Sequence, residues 1–178
     1  DALDYQPGIV IQDFFGGTDQ PRLSIRGSGI QSNPVNRGVL LLQDGLPLNE
    51  ADGSFIIGFL EPRNAALVSA RRGANALTPG ATTLGGELDF VSLTGAQERG
   101  RVRAETGSYG RQALQAAVGG VGERFDSRIS ASSDRFDGYR HHSASSRDSV
   151  QANLGFQGDG SFANRAHLSR PDPSLPIP

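Results

Sequence analysis

The chain has 178 residues, a formal net charge of −2, 24 glycines and no cysteine. That length suits one ordinary domain, or a small domain with part of another. The charge excludes a broad nucleic-acid-binding field, and the missing cysteines exclude a disulfide scaffold and a thiolate metal site.

Apolar residues are few, at 36%, but they recur periodically, which disorder does not require. The longest apolar run, 39–42, falls far short of the roughly 20 residues of a transmembrane helix. A membrane strand stays open, because it needs only alternate residues to be apolar. All 17 basic residues are arginine, a composition that a GC-rich genome explains. With no methionine, the chain reads as part of a longer or processed polypeptide, with any targeting segment upstream of Asp1.

Taken in order, segments 8–12, 22–26, 38–43, 67–71 and 87–92 read as short strands. Turn signals separate them: Gly-Gly at 16–17, Asp-Gly at 44–45, Pro-Gly at 79–80 and Gly-Gly at 85–86. Glu61-Pro62 is expected to open a short helical turn through Leu67, since proline suits the first helical position. Residues 1–95 therefore predict a small α+β domain. Arg26 is its oddest feature, a charge at a strand end directly before Gly27. An ordinary exposed strand-end arginine would account for it.

Residues 96–178 alternate instead. Val102, Ala104 and Thr106 oppose Arg101, Arg103 and Glu105; Val150, Ala152, Leu154 and Phe156 oppose Gln151, Asn153, Gly155 and Gln157. Segment 127–135 is a weaker match, with only Ile129 and Ala131 apolar. Such alternation predicts half-buried antiparallel strands, in a sandwich or a barrel. The polar face and the connections, tight at 122–124 and 158–160 but longer at 137–148, favour a membrane barrel.

In this setting "DALDYQPGIVIQD", "LSIRGSG", "VLLLQDGLPL" and "RRGANALTPGATTLGGELDFVS" resemble, in order, the plug motifs of TonB-dependent outer-membrane receptors. "GSYG" at 107–110 and "FDGYRHHS" at 136–143 are similar to the family's first barrel strands. The implied fold is mainly β: a plug over 1–95, then about four or five strands of an antiparallel barrel over 96–178. The family's barrel has about 22 strands, so the resemblance makes this chain a fragment.

The resemblance also implies function. It points to active transport of a scarce ligand across the bacterial outer membrane, with TonB supplying energy through a box that is not visible before Asp1. A ferric siderophore leads by base rate; cobalamin, other metal chelates and oligosaccharides stay open. Arg26 and Arg72 match plug arginines that face barrel glutamates, and so form a candidate plug–barrel latch. Where the family often has glutamate three residues before the second arginine, this chain has Ser69, so the charge network is expected to thin or to rebuild around Glu87 or Arg71. By position, the substrate-binding candidates are Gln31, Ser32, Asn33, Asn36, Arg37, Asn49, Glu50 and Asp52. Solvated loop tips explain the same residues. Arg37 suits an anionic chelate.

Other chemistries find little support. "GSGIQS" is one residue short of a dinucleotide fingerprint, and Asn33-Pro34 blocks the helix that should follow. No Gly-x-Ser-x-Gly elbow and no lysine occur. His141 and His142 are adjacent and read as exposed loop residues rather than metal ligands, with Arg147 a weaker loop candidate. No catalytic set, metal site or cofactor is expected. A soluble β-rich binding or adhesion domain is the competing class; a sugar hydrolase would need a carboxylate pair that is not found.

Overall fold

The protein is described by a computed structural model over residues 6–12, 21–28, 36–73, 85–138, 144–157 and 163–174. Two units divide it, Asp1–Ser92 and Leu93–Pro178. The first contains β1 (Ile9–Gln12), β2 (Arg22–Ile25), β3 (Val39–Gln43), β4 (Leu46–Pro47), β5 (Ala65–Arg72) and β6 (Gly86–Ser92).

The unbroken apolar run of β3 has no polar face, so it must be covered on both sides; Val39, Leu40, Leu41 and Leu42 are all buried. β6 lies parallel beside it, Val39 opposite Gly86 and Gln43 opposite Phe90. Parallel neighbours need a crossover. The chain makes it through β4, two 3-10 turns at Ile57–Phe59 and Pro62–Asn64, and β5, giving the order β4-β3-β6-β5. The separate β1–β2 pair contributes Ile9, Leu23 and Ile25 to one core with Val39, Leu41, Phe55, Leu60, Leu88 and Phe90.

One expectation needs correction. The helical turn from Glu61 stops at Asn64 and does not reach Leu67. Asn64 N–H donates to Glu61 O at 2.9 Å and Ala65 N–H to Pro62 O, both i→i−3 bonds, and Ala65 is already extended. One turn of helix is a poor competitor for a full ladder, and β5 pairs with β6 from Ala65 through Arg72. Among the described residues, the helical part of the α+β expectation therefore reduces to the 3-10 turns at Ile57–Phe59 and Pro62–Asn64.

The second unit is one antiparallel meander in the order β11-β10-β9-β8-β7. It comprises β7 (Gly100–Thr106), β8 (Gln112–Val121), β9 (Phe125–Phe136), β10 (Ser145–Gln157) and β11 (Ala163–Ser174). β9 runs through the segment that looked weak: Arg128, Ser130 and Ser132 take the polar face, while Ser127 and Ser133 share the other face with Ile129 and Ala131 and dilute its apolar pattern. β10 starts at Ser145, inside the stretch expected to be loop, since Ser145 to Asp148 pair with Ser133 to Phe136.

The two faces of this sheet are reversed relative to a water-soluble protein. Val102, Leu114, Val118, Ile129, Val150, Leu154, Phe156 and Leu168 are exposed, whereas Gln115, Arg128, Ser130, Ser149 and Asn153 are buried. Register explains the bands: Val118, Ile129, Ala152 and Leu168 stand opposite one another across four strands, and Val102, Ala116, Ala131 and Val150 form the next row. An apolar outside over a polar inside is what hydrocarbon on one side and water on the other demand. The sheet does not close on itself among the described residues.

Candidate functional site at one end of the plug sheet

Two charged clusters stand at the end of the first unit where β3 begins. Gly85 N–H donates to Gly38 O (3.1 Å) and Gly73 N–H to Gly85 O (2.8 Å), which brings the starts of β3 and β6 and the end of β5 together.

The first cluster answers the puzzle of Arg26. Ser28 N–H donates to Ile25 O at 3.0 Å, closing a four-residue turn whose central residues, Arg26 and Gly27, have φ of 53° and 77°. Positive φ at both central positions marks a type I′ turn, which favours Asn, Asp or Gly. Asp44-Gly45, joining β3 to β4, and Tyr109-Gly110 repeat this pattern of φ. Asp44 suits its place; an arginine in the left-handed region costs roughly 1–2 kcal/mol.

What offsets this cost is distant in sequence. Arg26 N–H donates to Gly8 O at 2.7 Å, and its side chain lies across Gly8 to Gly73, where a Cβ on Gly73 would strike the guanidinium. Arg72 Nη1 donates to the carbonyl of Pro7. The two latch candidates thus converge on the Pro7–Gly8 turn, both exposed, and among the described residues no carboxylate pairs with either. Arg71 instead takes the buried Glu87 at 3.2 Å.

The second cluster is the loop after β4. Arg37 Nη2 lies 2.5 Å from Asp52 Oδ2, while Asp52 Oδ1 accepts from Ser54 N–H (2.9 Å) and Ser54 Oγ (2.5 Å). These contacts hold the Asp52 carboxyl down at about 2, from an ordinary 3.8, with the Ser54 hydroxyl the largest cause, then the Ser54 amide, then Arg37. Sequence reasoning passed over Ser54, although Asp-Gly-Ser is the local signal for an Asx turn. Glu50 is exposed, and its backbone N–H and C=O bond with Ser54 and Gly53.

Asn36 and Asn49 brace backbone. Asn36 Oδ1 accepts from Leu23 N–H (3.2 Å) and its Nδ2 donates to Pro21 O (3.1 Å). Asn49 Oδ1 accepts from Leu41 N–H (2.8 Å), and its Nδ2 donates to Val39 O and Gly53 O. Asn36 thus pairs main-chain groups of Pro21 and β2, and Asn49 those of β3 and Gly53. Gln31, Ser32 and Asn33, like His141 and His142, lie outside the described residues. Among the described residues no group of three His, Asp or Glu side chains is placed to hold a metal.

Residues 1–87 match the family model of the TonB-dependent receptor plug domain. Solved outer-membrane proteins share the fold. The pyoverdine receptor FpvA of Pseudomonas aeruginosa, bound to pyoverdine, superposes with a TM-score of 0.71 at 17% identity over 97% of this chain and 24% of its own. The hemophore receptor HasR of Serratia marcescens, in complex with its hemophore and heme, gives 0.77 at 14% identity over 98% of this chain and 29% of its own. The copper transporter OprC gives 0.73 at 14%, over 97% and 27%. This chain therefore spans about a quarter of those receptors' length. Residues 1–87 are a TonB-dependent receptor plug domain, and the strands that follow share the fold of the opening barrel strands of these solved outer-membrane proteins. The chain is an outer-membrane protein.

Proposed function

We propose that this chain serves TonB-dependent active transport of a scarce ligand across the bacterial outer membrane, with a ferric siderophore as cargo. The observation that carries the reading is the pairing of a matched plug with a sheet whose apolar side faces outward. Heme and copper stand next as cargo, because a hemophore receptor and a copper transporter share the fold. TonB is the energy-supplying partner.

The ligand contacts are Gln31, Ser32, Asn33, Asn36, Arg37, Asn49, Glu50 and Asp52, of which Arg37 and Asp52 stand at the β3 end of the plug. Within that set Arg37, Glu50 and Asp52 present charge, while Asn36 and Asn49 contribute by fixing the loop. Arg26 and Arg72 form the plug's half of a latch to barrel carboxylates. Two exposed guanidiniums on one turn leave donors for an acidic partner.

Uptake of iron-loaded hydroxamate and catecholate siderophores, heme and copper by a deletion strain, with and without TonB, tests this reading. Restoration of one ferric chelate by the receptor, lost without TonB, is expected. Uptake that survives loss of TonB would overturn it. Arg37→Ala should weaken binding of an anionic chelate by about tenfold or more, the value of a charge-assisted hydrogen bond.

A further inference from the structure

The short segment between β6 and β7 is built unlike a linker. Thr94 and Gln97 cap each other: Thr94 N–H donates to Gln97 Oε1 (3.1 Å) and Gln97 N–H to Thr94 Oγ1 (3.3 Å). This is the reciprocal bonding of a capping box, and Glu98 N–H adds a bond to Thr94 O at 3.1 Å. The resulting turn is seated on the polar face of the sheet. A Cβ on Gly95 would collide with Ser127 O and Gly120 O, and one on Gly119 with Glu98 O and Gly95. Gly119 N–H donates to Arg99 O at 2.7 Å.

Charge completes the seat. Glu98 Oε2 lies 2.9 Å from Nη2 of Arg128, a buried arginine on β9, and Oε1 lies 2.6 Å from Nη2 of Arg101 on β7. One carboxylate thus ties the turn to two strands. Asn153 Nδ2, from a third strand, reaches Leu93 O at 3.4 Å. A connector free to follow the plug would need neither glycine against glycine nor a largely buried carboxylate.

We propose that residues 93–99 are a fixed anchor, clamped by Glu98, that stays on the barrel wall when the Asp1–Ser92 unit is displaced. Tension entering the plug then ends at Ser92, and the first barrel strand keeps its register. Glu98 acts as a positioning residue. Its role in transport rests on the function proposed above; the anchor itself does not.

Hydrogen exchange on the purified receptor in detergent micelles, at urea concentrations that loosen the first unit, tests the anchor without ligand or TonB. The amides of Gln97, Glu98 and Gly119 are expected to stay protected with β8 and β9. Loss of their protection together with β3 and β6 would overturn the anchor. Glu98→Gln should speed their exchange about tenfold, equal to ~1.4 kcal/mol, with the β9–β10 ladder unchanged. Unchanged protection in that variant would refute the clamp. Arg101→Gln, which spares the buried arginine, should give a smaller change of the same pattern and covers the case in which Glu98→Gln does not fold. In uptake, Glu98→Gln should lower the maximal rate at unchanged ligand affinity, with Glu98→Asp recovering part of it; wild-type rates in Glu98→Gln would remove the transport role while leaving the exchange result to stand.

Discussion

The two units solve opposite solvent problems with the same secondary structure. In the plug, Leu41 and Leu88 are fully buried and, Glu87 apart, the described charged side chains are exposed or half-buried. In the barrel sheet, Arg128 and Gln115 are buried while Val102 is 79% exposed. Strand pairing dictates neither arrangement; the side-chain pattern does. The β3 run is apolar without a break because its sheet is covered on both faces, and β10 alternates because hydrocarbon touches one face only. The same hydrophobic effect thus fills a core in one unit and forms an outer band in the other.

The largest expected effect tests the core. Leu41→Ala should cost the plug about 2–5 kcal/mol, read from urea unfolding, with hydrogen exchange in the β8–β9 ladder unchanged. Equal loss of protection in the barrel strands would show that the two units do not unfold separately. Ile129→Arg probes the other side. Near the middle of the apolar band it should cost about 2–4 kcal/mol in bilayers, measured as folding yield and unfolding free energy in lipid vesicles. A water-facing Ile129 would accept arginine at almost no cost, and that outcome would end the outward-facing assignment.

A smaller effect, of opposite sign, distinguishes conformational cost from function. Arg26→Asn keeps the turn and suits its left-handed position, so the plug should gain about 1 kcal/mol. Uptake should nevertheless fall, because the guanidinium over Gly8 and Gly73 is lost. Tyr109→Asn makes the same exchange in the barrel unit and should stabilise without an uptake defect. If Arg26→Asn leaves uptake intact, Arg26 is only a costly turn residue.

Strands and faces were legible in the sequence because they depend on neighbours two residues apart: β1, β2, β3 and β6 fall within a residue of their expected bounds. Contacts across long separations were not. The Arg26 turn leans on Gly8 and Gly73. Glu98 and Arg128 are 30 residues apart, and no local pattern marks them as partners. Asn36 and Asn49 read as loop-tip polar residues, yet their amides bond backbone up to 15 positions away. Polar residues beside a strand end look alike in sequence whether they brace a backbone or meet a ligand; only the hydrogen-bond partner separates them. The β5 boundary was missed for the same reason, since pairing with β6 overrode a local helix-start signal.

The smallest effect concerns Asp52, whose carboxyl is held at about 2. A folded-state value below the unfolded 3.8 means that the unfolded chain takes up the proton first. The stabilisation is therefore complete above pH 3.8 and is lost as pH falls toward 2. Because the Asp52 side chain is half exposed to solvent, the change in melting temperature should be small and confined to that window, and Asp52→Asn should remove it. The ordering of causes gives a sharper test. The Ser54 hydroxyl outweighs Arg37, so Ser54→Ala should return the Asp52 titration toward 3.8 further than Arg37→Ala does, as followed by the carboxyl carbon shift in NMR. The reverse order would mean that the ion pair, rather than the Asx turn, holds this loop, and Arg37 would then be less available to a ligand than its exposure suggests.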